Sequence, residues 1–163
     1  MKKGPDAGLS HVGPDGSARM VDVSAKEATL RTARARGAIR MNSATLAAIR
    51  SHEIAKGDVL SVARVAGIMA AKKTAELIPL CHPLLLDDVQ VELSLDEALP
   101  GVVVQTLTRT TGRTGVEIEA LIAATVALVT VYDMTKSLDR SMTIGDISLV
   151  QKSGGRSDPY FAG

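Results

Sequence analysis

Two segments of the chain are apolar on nearly every helical face, and both predict buried helices. The first runs from Val59 to about Leu77 and the second from about Val116 to Lys136. Small residues recur along both at steps of three and four, which lets another backbone pack closely. They are Ala63, Ala66, Gly67, Ala70 and Ala71 in the first helix, and Ala120, Ala123, Ala124 and Ala127 in the second. We therefore expect the two helices to pack together as a layer.

Alternation of apolar and polar residues predicts strands between and after these helices. Val89 to Leu95 alternates, Asp96 to Gly101 has the composition of a turn, and Val102 to Thr108 continues as a second strand, so the three form a hairpin. Met142 to Ile144 and Ile147 to Val150 have the lengths of short edge strands. Strands clustered beside long helices predict an α+β fold, with the helices on one face of a largely antiparallel sheet.

The N-terminal third has weaker patterns. Ser24 and Glu27 have the spacing of a capping box, which predicts a helix through about Arg36. Asp58 follows a Lys-Gly pair as a candidate N-cap of the first apolar helix. The other predicted elements here are a short strand over 20–23, a strand over 37–41, and a helix that Ser43 caps and that runs to about Glu53.

The length of 163 residues and the 45% content of hydrophobic residues suit one domain with a core of its own. Residues 1–18 carry many Gly and Pro and little periodicity, so we expect a flexible leader there. A single folded domain is expected to cover 19–156, and a short tail 157–163. No internal repeat is visible.

Composition excludes several classes of protein. Aromatic residues make up 2% of the chain and Trp is absent, so stacking platforms for single-stranded bases cannot be built. The apolar run Ala120 to Tyr132 is well short of the roughly 20 residues that cross a bilayer, so we expect no membrane partner. Cys81 is the only cysteine, which forbids an internal disulfide and suits a reducing compartment; we expect the cytoplasm.

Charge is distributed unevenly. Ten basic and six acidic residues precede or include Asp58, whereas the remainder is acidic overall. A basic N-terminal helix that binds nucleic acid is one interpretation, but no helix-turn-helix or zinc pattern accompanies it. An exposed helix face is the simpler explanation, and we expect no nucleic-acid partner.

Polar residues that can carry chemistry cluster at the predicted ends of the two long helices. Lys72 lies near the end of the first helix, and Leu80, Cys81 and His82 follow in a proline-flanked loop. Dipole stabilisation explains such a lysine without a function, and Cys81 has the character of a small buried residue. One cysteine and scattered histidines do not make a structural zinc site, so we predict no metal site in the protein.

The second helix begins after a Gly- and Thr-rich turn over 109–115, where free N–H groups can hold an anion. Glu117 and Glu119 follow, and both favour the positive end of a helix. Two residues apart, they point to nearly opposite sides of a regular helix, so only one readily faces a given site. We favour Glu119.

The same helix ends with Asp133 and Lys136, which are three residues apart and can therefore touch. A surface ion pair is the ordinary fate of such residues, although their place after a long apolar stretch predicts partial burial. Glu119 and Asp133 are separated by 14 positions, or about 21 Å of helix. One small substrate cannot contact both in one chain, so joint action requires two subunits and an oligomer.

Seven short segments stand in one order along the chain. They are Met20-Val21-Asp22-Val23-Ser24, Lys56-Gly57-Asp58-Val59, Ala70-Ala71-Lys72-Lys73-Thr74, the segment Leu77 to Pro83, Thr114-Gly115-Val116-Glu117, Tyr132-Asp133-Met134 with Lys136, and Lys152-Ser153-Gly154-Gly155. Together they resemble the MoaC proteins, the cyclic pyranopterin monophosphate synthase family of molybdenum-cofactor biosynthesis. The resemblance covers about Ser10 to Arg156.

The resemblance implies a ferredoxin-like α+β subunit, assembled as a homohexamer, a trimer of dimers, with sites at dimer interfaces. It implies a cyclic dihydroguanosine triphosphate (cyclic dihydro-GTP) as the substrate. This is converted to cyclic pyranopterin monophosphate with release of pyrophosphate, a lyase reaction that needs no redox cofactor. Whether magnesium accompanies the triphosphate stays open.

The resemblance also implies roles for residues. Asp133 and Lys136 match the catalytic position and Lys56 a further site lysine. The matches to substrate-binding positions are Leu80, Cys81, His82, Ile118, Glu119 and, more weakly, Glu117, with Lys72, His82 and Lys152 suited to phosphates. Two positions depart from the pattern: Ile118 stands where Met is common, and Thr135 where we expect Cys. A noncatalytic nucleotide-binding oligomer is the main alternative, in which the cations hold phosphate and the Asp133 and Lys136 pair is structural.

Overall fold

The computed structural model of the protein describes residues 16–155 and 159–162. Its elements, in chain order, are β1 (Thr29–Arg40), α1 (Ser43–Arg50), α2 (Val59–Lys72), α3 (Thr74–Leu77), β2 (Asp88–Asp96), β3 (Gly101–Gly112), α4 (Glu117–Thr135), β4 (Thr143–Ser153) and β5 (Tyr160–Phe161). Residues 1–15 of the predicted leader (1–18), Arg156, and residues 157, 158 and 163 of the tail lie outside the described residues.

The sheet has the strand order β2-β3-β1-β4-β5, and every neighbouring pair is antiparallel. Up to β4 the order of elements is βαββαβ, with three helices in the first crossover, which is the ferredoxin-like arrangement. α2 and α4 pack against each other, and α4 lies against β1, β3 and β4. The predicted α+β class and its helix layer are confirmed.

The prediction of a helix from Ser24 to Arg36 is wrong, because β1 begins at Thr29 and is the central strand of the sheet. Ser24 caps no helix: its N–H donates to the Asp22 carboxylate in a tight turn. Along β1 the alanines Ala33 and Ala35 are buried while Arg34 and Arg36 are exposed. Pairing with β3 and β4 therefore outweighs the helix propensity of Ala and Arg. The predicted strand over 20–23 is also wrong, since these residues have no regular structure.

The predicted contact between the two Ala-rich helices is confirmed, and Gly67 of α2 lies at its centre. A Cβ atom added to Gly67 would lie 2.9 Å from the Ala123 carbonyl oxygen and 3.3 Å from the Ala127 Cβ. Only glycine allows this approach without moving a backbone. The expectation that α2 is buried on nearly every face is wrong, because Val62, Val65 and Met69 are about half exposed in the single chain.

Element ends follow local chemistry. Asp58 caps α2 as predicted, since its side chain accepts a hydrogen bond from the Ser61 N–H. Asn42, and not Ser43, caps α1, which ends at Arg50. The first long helix stops at Lys72, and the short α3 follows. The β2–β3 hairpin is confirmed. The two predicted edge strands are instead one strand, β4, which lies between β1 and β5.

α4 is the longest helix among the described residues and is long and apolar enough to cross a membrane by length and composition alone. The apolar helix is longer than the run Ala120 to Tyr132 from which the sequence analysis judged that the segment is too short to cross a bilayer. In the fold its alanine stripe and Leu128 are fully buried against α2 and the sheet. Such packing is that of a core helix. α4 also fixes the geometry of the site, because its two ends carry most of the candidate residues.

Candidate active site

The C-terminal end of α4 carries a compact cluster of charges. The Lys136 ammonium lies 2.7 Å from one Asp133 carboxylate oxygen, and the Lys56 ammonium lies 3.0 Å from the other. Lys56 also donates to the Asp133 main-chain carbonyl at 2.7 Å. Gly57 follows with a φ of 101°, a conformation that glycine adopts readily, and it connects Lys56 to the capped start of α2. The structure thus brings together Lys56, Asp133 and Lys136.

The two lysines hold the Asp133 carboxylate in its charged form. Hydrogen bonds from Lys136 and then Lys56 lower the pKa of Asp133 to about 2. The side chains of Asp133, Lys136 and Lys56 are 56%, 51% and 49% exposed. The expected partial burial is therefore wrong for the single chain, in which these groups face outward from the end of the helix.

The N-terminal end of α4 borders a cavity of about 340 Å³. The loop of Leu80, Cys81 and His82 forms one wall, as the resemblance implies, and the first turn of α4 forms another. Glu117, Ile118 and Glu119 all line it, so the expectation that only one glutamate faces a given site is not met. The structure therefore places six of the predicted substrate-binding residues around one cavity: Leu80, Cys81, His82, Glu117, Ile118 and Glu119.

Glu119 is the buried acid of this cavity, with 4% of its surface exposed. Burial raises the pKa of its carboxyl, and the nearby charge of Glu117 raises it further. Burial also raises the pKa of the Cys81 thiol, with both glutamates adding to the effect. Burial therefore disfavours the charged forms of Glu119 and Cys81 in this cavity.

Glu117 has a different partner. Its carboxylate lies 2.5 Å from the Lys152 ammonium of β4, and both side chains are about three-quarters buried. Lys152 also lines a neighbouring cavity of about 320 Å³, together with Lys26, Arg31 and Arg113. Sequence reasoning placed Lys26 and Arg31 on a helix and so missed them as cavity residues. The alternation of Arg and Ala along 33–36 was the sequence signal that could have identified β1 as a strand.

Two further predicted residues lie at the margins of the first cavity. The His82 imidazole Nε2 makes a hydrogen bond of 2.8 Å with the Val21 carbonyl, which ties the segment before β1 over the cavity. Lys72 borders a smaller hollow of about 140 Å³ that shares Leu84 and Glu119 with the first. Val21 and Val23 line the first cavity and were not predicted as site residues.

The C-terminal cluster has a cavity of its own, of about 350 Å³, lined by Lys56, Tyr132, Lys136, Ser137 and Arg140. Neither Tyr132 nor Arg140 was predicted as a catalytic or substrate-binding residue. Arg140 follows Lys136 by four residues in the loop after α4. It lies beyond any periodic pattern, so no sequence signal pointed to it.

The two departures from the family pattern have structural explanations. The Thr135 side chain is fully buried, and its hydroxyl donates to the Val131 carbonyl at 2.8 Å, so it faces the core and not the lysine cluster. Ile118 is partly exposed at the cavity wall, where another apolar side chain of similar size would fit.

The two groups of site residues lie at opposite ends of one uninterrupted helix. The first group surrounds Glu117–Glu119 and the second surrounds Asp133. The helix rise puts about 21 Å between Glu119 and Asp133 along the axis. Within 16–155 and 159–162, no three His, Cys, Asp or Glu side chains are close enough to hold a metal ion.

Comparison with known proteins gives a consistent result. The MoaC family matches residues 20–155. A protein of Methylobacterium sp. (strain 4-46) named cyclic pyranopterin monophosphate synthase is 58% identical over 156 residues, which are 96% of this chain and 98% of that protein. Proteins with the same name from Brucella ovis and Brucella abortus are each 56% identical over 152 residues, which are 93% of this chain and 92% of theirs. The match includes both ends of α4 and the elements that hold them, and the chain therefore belongs to the MoaC family.

Proposed function

We propose that this chain converts cyclic dihydro-GTP to cyclic pyranopterin monophosphate and releases pyrophosphate, as a lyase of molybdenum-cofactor biosynthesis. The observation that carries the proposal is the cluster of Lys56, Asp133 and Lys136, in which two ammonium groups flank one ionised carboxylate. The names of relatives at 56–58% identity support the same activity.

The reaction needs what this cluster supplies. The purine's five-membered ring opens and a pterin ring closes, and both steps require proton transfer. The cyclic phosphate forms when a ribose hydroxyl attacks the innermost phosphorus. The new P–O bond replaces the bond to pyrophosphate, and the hydroxyl proton passes to a base. No net oxidation occurs, so no redox cofactor is required.

We assign Asp133, Lys136 and Lys56 to the catalytic position. The ammonium groups stabilise the charge that develops on phosphate oxygens and donate protons, while Asp133 keeps both in place. Because the pKa of Asp133 is lowered to about 2, this carboxylate stays charged through the physiological pH range. Its first role is therefore electrostatic and geometric.

The other half of the site binds the purine-derived end of the substrate. Glu119, whose pKa is raised, can accept hydrogen bonds from the base, or donate one to it when protonated. Ile118 and the loop of Leu80, Cys81 and His82 line the same cavity. Lys72 and Lys152 supply positive charge near the margins of this cavity. Glu117, paired with Lys152, positions that cation more than it binds the base.

The two halves come from different subunits. About 21 Å of α4 separates them in one chain, so we propose a symmetric dimer in which the start of one α4 meets the end of its partner's. Three such dimers form the homohexamer that the resemblance implies. The half-exposed apolar side chains of α2 are surface that an assembly can bury. We place this enzyme in the cytoplasm, with 19–156 as its one catalytic domain.

The experiment is an assay of the purified protein with cyclic dihydro-GTP, following pyrophosphate release. The Lys136→Ala variant should lose product formation by about 100-fold or more, because proton transfer by a positioned group contributes that much, while the variant still binds the substrate. Arg50→Ala is the matched control, since Arg50 is an exposed cation that pairs with Glu97 and lines neither cavity at the ends of α4.

The noncatalytic alternative gives the opposite result. A nucleotide-binding oligomer would bind cyclic dihydro-GTP without releasing pyrophosphate, and Lys136→Ala would change affinity alone. Unchanged turnover in Lys136→Ala would refute the role assigned to this lysine.

A further inference from the structure

Arg140 lies beside the Lys56–Asp133–Lys136 cluster but belongs to none of its contacts. It is exposed in the loop after α4, and it lines the 350 Å³ cavity with Lys56 and Lys136. The cavity wall also includes Tyr132 and Ser137, which offer hydroxyl groups. A hollow of this size accommodates a phosphate chain and its first hydration shell.

The backbone around Arg140 is fixed on both sides. The Asp139 carboxylate accepts hydrogen bonds from the Ser141 N–H at 2.9 Å and the Ser141 hydroxyl at 2.6 Å. Its other oxygen accepts from the Asn42 N–H at 2.8 Å, which ties the loop to the start of α1. The Tyr132 hydroxyl donates to the Arg140 carbonyl at 3.4 Å. The loop is therefore held while the guanidinium is left outside these contacts.

The charge of the cavity is unbalanced. Three positive charges line or border it, from Lys56, Lys136 and Arg140. Asp133 forms ion pairs with the two lysines only. Some exposed arginines have a carboxylate partner: Arg40 pairs with Asp146, and Arg109 with Asp88. Among the described residues, no carboxylate pairs with Arg140. Like charges that converge on a hollow repel one another unless an anion joins them.

We propose that Arg140 is a phosphate-binding residue of this site, which holds the polyphosphate of the substrate against the two lysines. The inference rests on the proposed function and extends it, because it places a guanidinium, carried by a held loop, beside the two lysines where the leaving pyrophosphate must be bound. A guanidinium presents a planar fork of N–H donors that matches two phosphate oxygens, whereas an ammonium acts as a point charge.

The binding experiment uses inorganic tripolyphosphate as the probe, titrated calorimetrically into the full-length protein. Arg140→Gln should weaken its affinity about tenfold, as expected for the loss of a charge-assisted hydrogen bond. Arg140→Lys should recover part of that loss, because it keeps the charge and loses the fork. Arg50→Gln is the control, since Arg50 is an exposed arginine that pairs with Glu97 and does not line this cavity. The Arg50→Gln variant should bind tripolyphosphate as the wild type does.

Kinetics with cyclic dihydro-GTP form the second arm. Arg140→Gln should raise KM about tenfold and weaken inhibition by added pyrophosphate, with a smaller change in kcat. Equal tripolyphosphate affinity and equal KM in wild type and Arg140→Gln would overturn the inference and leave the synthase activity standing. A wild-type protein without turnover, whose tripolyphosphate affinity still depends on Arg140, would refute the proposed function and leave the anion site standing.

Discussion

The two ends of α4 each carry an acid of the candidate site, and their surroundings shift the pKa values of these acids in opposite directions. Glu119 is buried and its pKa is raised; Asp133 is half exposed between two lysines and its pKa is lowered to about 2. The helix dipole acts in the reverse sense, because it favours a carboxylate at the N-terminal end. At Glu119 the dipole contributes about 0.3–1 kcal/mol, whereas taking a carboxylate out of water costs several kcal/mol, so burial decides.

This contrast indicates a division of labour. At the N-terminal end, burial raises the pKa of an enclosed carboxyl, which therefore takes up a proton more readily than a free carboxyl does. The C-terminal end offers permanent charge suited to phosphate and to proton transfer. Neither end has both properties. A substrate with a purine at one end and a triphosphate at the other needs both, and in one chain they are separated by the length of the helix.

The largest expected effect comes from mixing defective subunits. Glu119→Ala damages one half of the site and Lys136→Ala the other, so each variant alone should be nearly inactive. Coexpressed in equal amounts, they should regain about a quarter of the wild-type activity, because one quarter of the interface sites then join two intact halves. Pyrophosphate release by the copurified mixture measures this.

A single-chain site predicts a different mixture. Every site would then carry one damaged half, and the activity would stay at the level of the separate variants. Mixing Lys136→Ala with Asp133→Asn is the control, since both defects lie at the same end of α4 and no combination of these subunits restores an intact site.

A smaller effect should separate the two acids by the pH dependence of stability. A raised pKa in the folded state means that Glu119 contributes stability below its unfolded pKa near 4.5, which is lost as pH rises through the folded value. Glu119→Gln should therefore raise Tm at pH 8, by about 2–4 °C for each kcal/mol of relieved penalty. The difference should vanish below about pH 4.5.

Asp133→Asn should behave in the opposite way. The lowered pKa means that Asp133 contributes stability above its unfolded pKa of 3.8, which is lost as pH falls towards about 2. This variant should melt earlier than the wild type at neutral pH and converge with it only in strong acid. Melting curves from pH 2 to pH 8 compare the two. If both substitutions shift Tm in the same direction at pH 8, burial and ion pairing are not what distinguishes these acids.

Sequence patterns predicted the helix layer and the hairpin because long periodic segments dominate their own local structure. They failed at β1, where Ala33 to Arg36 favour a helix locally and only pairing with β3 and β4, more than sixty residues away, makes a strand. The ion pair of Asp133 and Lys136 followed from helical spacing. Lys56 was assigned to the same site only from the family resemblance. Arg140 was predicted neither from helical spacing nor from the resemblance, because the geometry of a loop decides its place.

The smallest expected effect is at Thr135, next to Lys136 in sequence but on the opposite side of the helix end. Its hydroxyl bonds to the Val131 carbonyl and lies 3.3 Å from the Met142 sulfur. Thr135→Cys introduces the residue expected from the family pattern at nearly constant volume. Stability should change by less than about 1.5 kcal/mol, and turnover by less than twofold. A tenfold change in kcat, or rapid alkylation of the new thiol in the folded protein, would place position 135 in the site. Slow alkylation with unchanged kcat would show that the C-terminal end of α4 acts through the charges of Lys56, Asp133 and Lys136, and that the residue beside them serves the core.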